Sequence, residues 1–558
     1  MNVVGDNLWA GVPVAEHLAL FSPLIALTAT MLAVVLCPVI VGRNTRAIAG
    51  VAVVGVIATF VLTIGVARSV ATGGSGGLSP DGGSGMLIAD NLSIGFQILL
   101  VGFLGAVIWL WWMGSAPTER DAPEFFILLL GSALGMALMA STANLLMIVI
   151  AIEMASLPSY AIVGFDKRNR NAAEASLKYM VFGAISAAIM LYGASLLYGF
   201  AQSLNTAVIG EAVLRSFSNG DQVLLCSIGL LCFVGGIAFK ISAVPFHFWC
   251  PDAFEGARIE ITTWLSVASK AAGLVLLVRL VMVFTTAAGG RLYVTPLGPL
   301  SWAIAIMATI TCTYANFTAY RQRSVKRLLA YSSIAHAGYM LMAAAVFIYP
   351  EPGGVGVGAS ALLAYVLIYL FMNLGAFGVV ALVVWDTGSD RIEAFSGLMR
   401  RAPWIAVPMV VCLMSLVGLP PLAGFMGKWW VLMALGRMNN TVGWMLVVVL
   451  SVNTLFSLYY YMRLVVIMAL RDDGQPTVRS PIGGLAIVNV CAAMLLVLFI
   501  WQARFKGMAD HFASRTFQPT RTVAISPSTG HLGARADQTD ARSAEARFVE
   551  AAAPTADP

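Results

Sequence analysis

Charge is scarce in this 558-residue chain: only 11% of its residues are Asp, Glu, Lys or Arg, and histidine occurs five times. Soluble domains carry roughly 25% charged residues, so an ordinary water-exposed fold is excluded. The seven cysteines lack pattern as well. Cys37, Cys226, Cys232, Cys312, Cys412 and Cys491 lie in apolar stretches, Cys250 stands beside Pro251, and none forms a C-x-x-C pair. That argues against a disulfide framework, a zinc site or an iron–sulfur cluster. No dinucleotide-binding fingerprint and no paired axial-ligand motif for haem is present. The glycine-rich run from Thr72 to Gly85 follows no strand and opens no helix, so it reads as an outward flexible loop and not as a phosphate cradle. No Lys or Arg precedes the first apolar stretch and no A-x-A-like site closes it, so that stretch is expected to be retained as a helix.

What the chain has instead is hydrocarbon. Hydrophobic residues make up 59% of it and the mean hydropathy is +0.85. Fourteen apolar stretches lie near residues 18–41, 47–69, 93–113, 123–141, 143–165, 174–200, 223–250, 259–287, 299–319, 328–349, 357–385, 404–435, 442–470 and 482–502. Each exceeds the roughly 17 residues that a helix needs to cross a bilayer, which predicts an all-α polytopic membrane protein of about 14 spans. The net charge of +6 is no nucleic-acid signal, because the basic residues gather in alternate loops. Sixteen Lys and Arg residues, from Arg43 and Arg46 to Arg471 and Arg479, fall in odd-numbered connections, whereas the even ones hold only Arg68, Arg215, Arg291 and Arg437. The positive-inside rule then puts the odd loops in the cytoplasm and both termini outside.

Against this background Glu153, Lys240, Lys270 and Lys428 stand out, since each lies inside an apolar span. Intramembrane ions are costly and usually mark a charge pathway. Two spans are also broken. The seventh reads GGIAFKISAVPFHFWCPDAFEG, where Pro245 interrupts a helix carrying Lys240, with His247 two turns further on; the twelfth reads SLVGLPPLAGFMGKWW, where Pro420 and Pro421 precede Lys428. Discontinuous helices with freed backbone groups belong beside a wet or protein-lined path. The two breaks are five spans apart and therefore antiparallel, as two inverted five-helix repeats require, although residue identity between the halves is too low to establish a repeat.

The segments PEFFILLLGSALGMALMASTANLLMIVIAIEMASLPSYAIVGF, EASLKYMVFGA, AFKISAVPFHFWCPDAFEGA, SVASKAAG, RQRSVKRLLAYSSIAHAGYM and GLPPLAGFMGKWW together resemble the antiporter-like membrane subunits of proton-pumping NADH-quinone oxidoreductase (respiratory complex I). Within that family the N branch fits best. The M branch usually has a glutamate where Lys428 stands, and the L branch continues into a long lateral helix. The resemblance implies that Glu153 pairs with Lys178, that Lys240 is the central proton-binding lysine with His247 as a neighbouring relay, that Lys270 and His336 link the midplane, and that Lys428 ends the second half-channel. It implies a translocase subunit of a bacterial inner membrane with no redox centre of its own, while NAD, FMN, iron–sulfur clusters and quinone belong to partner subunits. The other subunits and the lipid bilayer are then its partners, and nucleic acid is not. The chain departs from the family in GARIEI, where Arg258 and Glu260 are expected to pair locally at the cytoplasmic mouth.

These readings divide the chain into an N-terminal region with the glycine loop (1–122), a first half-channel (123–287), a second (299–470), a last span (482–502) and a disordered tail (503–558). Two alternatives stand beside proton translocation: the large subunit of a multisubunit cation/proton antiporter, and a structural subunit whose charges only orient helices. Buried ion pairs are poor stabilisers, which weighs against the second. For single residues the plain alternatives are a helix-capping His247, a carbonyl-bonded His336 and a snorkelling Lys178. Arg321 to Arg327 read as a topology signal only, and Trp109, Trp111 and Trp112 as an interfacial belt.

Overall fold

A computed structural model describes residues 18–71, 76–77, 86–114, 121–287, 298–347, 354–471, 478 and 481–516. Most of the Thr72–Gly85 loop and everything past Thr516 lie outside the described residues. The helices are α1 Ser22–Val41, α2 Thr45–Ala71, α3 Asn91–Gly114, α4 Ala122–Ser141, α5 Leu145–Val163, α6 Arg170–Ala201, α7 Thr206–Asn219, α8 Val223–Ile241, α9 Trp249–Gly256 and α10 Ile259–Trp264. A π-turn at Leu265–Ser269 leads into α11 Lys270–Ala287, followed by α12 Gly298–Ala319, α13 Val325–Phe347 and α14 Gly354–Thr387. A 3-10 turn at Ile392–Phe395 precedes α15 Leu398–Arg401, α16 Pro403–Val417, α17 Ala423–Arg437, α18 Thr441–Leu470, α19 Ile482–Ile500 and α20 Gln502–Thr516. Gly76–Gly77 pairs antiparallel with Ile88–Ala89.

Asparagine starts four of these helices. Asn144, Asn169, Asn205 and Asn440 each accept from an amide in the first turn of α5, α6, α7 and α18, satisfying donors that a helix leaves orphaned. Twelve helices among the described residues are long and apolar enough to cross a membrane, so the all-α polytopic reading holds. Two of the fourteen expected positions differ. In α12 the threonines at 309, 311 and 313 and Asn316 dilute the apolar character, and the expected twelfth span is split into α16 and α17.

The described bundle packs α13 and α14 at its centre, with α12 against α13, α8 against α6, and α19 against α14. Three further expectations are corrected. The tail is not featureless from residue 503: α20 forms, Phe505 packs beside Trp430 at 5.8 Å, and Lys506 donates to Ser360 Oγ at 2.6 Å. Those contacts come from distant sequence, which is why no local apolar run announces the helix. Trp111 is no belt residue. It is wholly buried, 4.7 Å from the Phe126 ring, while Trp109, about 200° around the helix, is half exposed. Finally, the seventh span stops as a helix at Ile241, so His247 does not stand two helical turns beyond Lys240.

Candidate functional site

Neighbouring side chains satisfy several of the backbone groups freed at the first break. Ser242 ends α8 in the left-handed conformation (φ 65°), leaving carbonyls without helical partners. Trp249 Nε1 donates to Phe239 O at 3.2 Å, Ser269 Oγ to Lys240 O at 3.4 Å, and the Val244 amide donates to Thr311 Oγ1 at 3.0 Å. Irregular backbone at membrane depth is tolerated only with such partners. Lys240 itself is fully buried, and its Nζ donates to Ser156 Oγ at 3.2 Å. Ser156 lies one turn after Glu153 on α5.

Immediately after the π-turn comes Lys270, also fully buried. Widened turns of this kind recur at functional sites, because they re-aim side chains and free a carbonyl. Here Tyr369 OH donates to Ser266 O at 3.3 Å. The Lys270 ammonium hydrogen-bonds to Ser333 Oγ, sits 3.6 Å from Cys250 Sγ and lies 5.2 Å from the Phe254 ring centre. Ser333 neighbours Ser332 on α13, and Ser332 Oγ is hydrogen-bonded to Tyr461 OH. One turn further, His336 places Nδ1 2.8 Å from Tyr365 OH and Nε2 3.5 Å from Tyr461 OH. Lys270 thus ends at Ser333, which itself donates to Ala330 O at 2.6 Å, while Tyr461 OH links His336 to the adjacent Ser332.

The second break follows the same logic. Gly418 ends α16 at φ 87°, and the last carbonyl of that helix, Val417 O, accepts from Lys428 Nζ at 2.8 Å. A cation at a helix C-terminus meets both an orphan carbonyl and the negative dipole end. Gly424 lies so close to Ser415 that a Cβ there would come within 1.8 Å of Ser415 O. The ammonium of Lys428 stands 4.7 Å from the centre of the Tyr339 ring, and that ring is 5.5 Å from His336.

Lys178 is placed differently from its expected role. It does not pair with Glu153; its Nζ meets Glu174 at 2.8 Å and Asp252 at 2.9 Å. Helical spacing explains this, since Glu174 is one turn before Lys178 on α6. Asp252 and Glu255 are in turn bridged by Arg327 at 3.0 and 2.7 Å, and Lys326 Nζ donates to Ala257 O at 2.7 Å. The Arg321–Arg327 segment is therefore more than a topology signal. The expected Arg258–Glu260 pair is present at 3.8 Å. His247 is buried against Phe248 and Tyr314, its Nδ1 has no hydrogen-bond partner, and it makes no side-chain cap to α9.

Sequence reasoning missed Ser156, Cys250, Ser269, Ser332, Ser333, Tyr365, Tyr369 and Tyr461. Their signal was helical spacing: Ser156 is three residues from Glu153, and Ser332 and Ser333 precede His336 by one turn. It also missed Arg279, an intramembrane charge in plain view, whose guanidinium grips Asp90 at 3.0 and 2.7 Å and donates from Nε to Ala140 O at 2.7 Å. Chemically, the site is a row of ammonium, hydroxyl and imidazole groups, all able to exchange protons.

Residues 142–454 match the family described as NADH:quinone oxidoreductase/Mrp antiporter, TM. That segment contains Glu153, Lys178, Lys240, His247, Lys270, His336 and Lys428. NADH-quinone oxidoreductase subunit N 2 of Sorangium cellulosum is 38% identical over 427 residues, covering 74% of this chain and 82% of its own length. Subunit N of Rubrobacter xylanophilus is 34% identical over 485 residues, covering 86% and 94%. A chain of respiratory complex I from Thermus thermophilus matches with a TM-score of 0.70 at 29% identity, over 87% of this chain and 98% of its own. A chain of the Mrp complex from a Dietzia species shares the fold, with a TM-score of 0.75 at 16% identity over 91% and 100%. This chain belongs to the NADH:quinone oxidoreductase/Mrp antiporter family of membrane subunits and groups with the N subunits of NADH-quinone oxidoreductase.

Proposed function

We propose that this chain is the N-type membrane subunit of a proton-translocating NADH-quinone oxidoreductase in a bacterial inner membrane. The basic loops face the cytoplasm and both ends of the chain lie outside. NADH, FMN, iron–sulfur clusters and quinone are handled by partner subunits, and this chain contributes proton movement alone. The observation that carries the reading is the burial of three lysines at membrane depth, each beside a helix break or a π-turn. Apolar residues would fill those positions more stably, so the charges are there for what they do.

The relay runs from Glu153 and Lys240, past Ser269, to Lys270, Ser333 and His336, and ends at Lys428. Opposite charges couple the proton occupancy of Glu153 and Lys240, so a change in their separation loads or releases a proton. Lys178, held by Glu174 and Asp252, stands at the cytoplasmic mouth, and His247 lies beside the first break as an accessory group. The two interrupted helices serve as equivalent members of two inverted five-helix repeats. Each has its first segment ended by a left-handed residue, and each carries a buried lysine next to the break.

The test is redox-driven proton uptake in inside-out vesicles carrying Lys240→Ala, with assembly and electron-transfer rate measured alongside. A lowered proton-to-electron ratio in an assembled complex is expected, and an unchanged ratio would remove Lys240 as a carrier. Co-purification with peripheral redox subunits separates this reading from that of a cation/proton antiporter subunit.

A further inference from the structure

One buried polar cluster lies outside the relay. Asn316 on α12 and Asn453 on α18 are both buried and face each other, with Asn316 Nδ2 donating to Asn453 Oδ1 at 3.0 Å. Asn316 Nδ2 also donates to Tyr339 OH at 2.9 Å, and Tyr460 OH donates to Asn316 Oδ1 at 3.1 Å. On one side the cluster therefore ends at Tyr339, the ring over which the Lys428 ammonium sits at 4.7 Å. On the other, Asn453 Nδ2 donates to Thr313 Oγ1 at 3.1 Å.

Thr313 also lines an open groove on the surface of α12. With about 640 Å³ of room, it runs along α12 and is lined by Thr309, Ile310, Thr313, Tyr314, Phe317, Thr318 and Arg321. Arg321 belongs to a basic loop, so the groove leads from membrane depth toward the face that the charge distribution assigns to the cytoplasm. Thr313, Tyr314 and Thr318 bring hydroxyl-bearing side chains to it between the apolar Ile310 and Phe317, and beside it the buried Thr309 Oγ1 has no hydrogen-bond partner. The same threonines and Asn316 dilute the apolar character of α12.

We propose that the Thr313–Asn453–Asn316–Tyr339 thread is a second access route to Lys428, along which water from the cytoplasm-facing groove reaches the ammonium without passing Lys240 or Lys270. Amides do not carry an excess proton. Asn316 and Asn453 are positioning residues that hold hydroxyls and water in line, and Arg321 at the mouth is exposed and screened by solvent. The inference rests on Lys428 being a proton-loading residue. The competing account is that the amides only glue α12 to α18, as polar side chains do between membrane helices.

Three variants of the assembled complex decide between them. Thr313→Cys, a small change at a half-buried position, is treated with a membrane-impermeant sulfonated thiol reagent in vesicles of either orientation, with the parent complex as control. Modification from the cytoplasmic face alone, followed by a fall in the proton-to-electron ratio, is expected. No modification from that face overturns the route. Asn453→Leu is expected to lower the ratio and to shift the dependence of proton uptake on cytoplasmic pH. An unchanged ratio and pH profile would leave the amides as glue and overturn the route. Lys428→Ala separates the two levels. A ratio lowered by Lys428→Ala but not by Asn453→Leu removes the route and keeps the relay, whereas a ratio unchanged by Lys428→Ala removes both.

Discussion

Arg279→Met breaks the Arg279–Asp90 clamp, which ties the start of α3 to the helix that carries Lys270. The guanidinium makes two bonds to the Asp90 carboxylate, at 3.0 and 2.7 Å, and one from Nε to Ala140 O at 2.7 Å, with only 6% of the Arg279 side chain exposed. Removing one partner of a buried pair costs about 3–5 kcal/mol when the other charge is left stranded. Asp90 keeps a hydrogen bond from the Ser93 amide at 2.9 Å and is 20% exposed, so the expected loss falls to about 2–3 kcal/mol. Asp90→Asn alone loses the charge-assisted part, and the double variant strands no ion. The cycle should therefore show a coupling above about 1 kcal/mol. Thermal dissociation of the purified complex, scored for retention of this subunit across the four members of the cycle, measures it. Additivity within about 0.5 kcal/mol would refute the clamp.

Asp252→Asn is expected to cost less than about 1 kcal/mol by the same melts, since Lys178 retains Glu174, Arg327 retains Glu255 and all are partly exposed. Tyr461→Phe removes the hydroxyl between Ser332 and His336; at about 1 kcal/mol for one hydrogen bond, the rate of proton uptake falls roughly fivefold in an assembled complex. Gly424→Ala drives a Cβ to 1.8 Å from Ser415 O, and overpacking of that kind, at about 1–3 kcal/mol or more, should displace α17 and deplete assembled complex on native gels. Gly65→Ala, with nothing within 4 Å, is the control for that substitution and should assemble normally.

Most of the fold was legible because the bilayer imposes one rule on every span: an apolar run of helical length. Departures from that rule are where the reading slipped. Pro245 and Pro420 announced the two breaks, but not that Ser242 and Gly418 would end the helices in left-handed turns or which distant side chains would satisfy the freed carbonyls. Asn316 and the α12 threonines went unremarked because they sit one at a time in an apolar run, and only the fold brings Asn453 and Tyr339 to them. The buried lysines were legible as anomalies of charge. Their partners Ser156, Ser333 and Val417 O were not, since a hydroxyl or a carbonyl is unremarkable until a lysine 11 to 84 residues away reaches it. Lys178 was misassigned through resemblance, while the nearer partner Glu174 stood one helical turn away.

The central claim is that one relay crosses both halves of the subunit, and Lys270 is its joint, since from the start of α11 it reaches both Cys250 on α9 and Ser333 on α13. The most direct test is the proton-to-electron ratio of Lys270→Ala in inside-out vesicles, measured on a complex shown to be assembled and to oxidise NADH. The account predicts continued electron transfer with a lowered ratio. An unchanged ratio would contradict it.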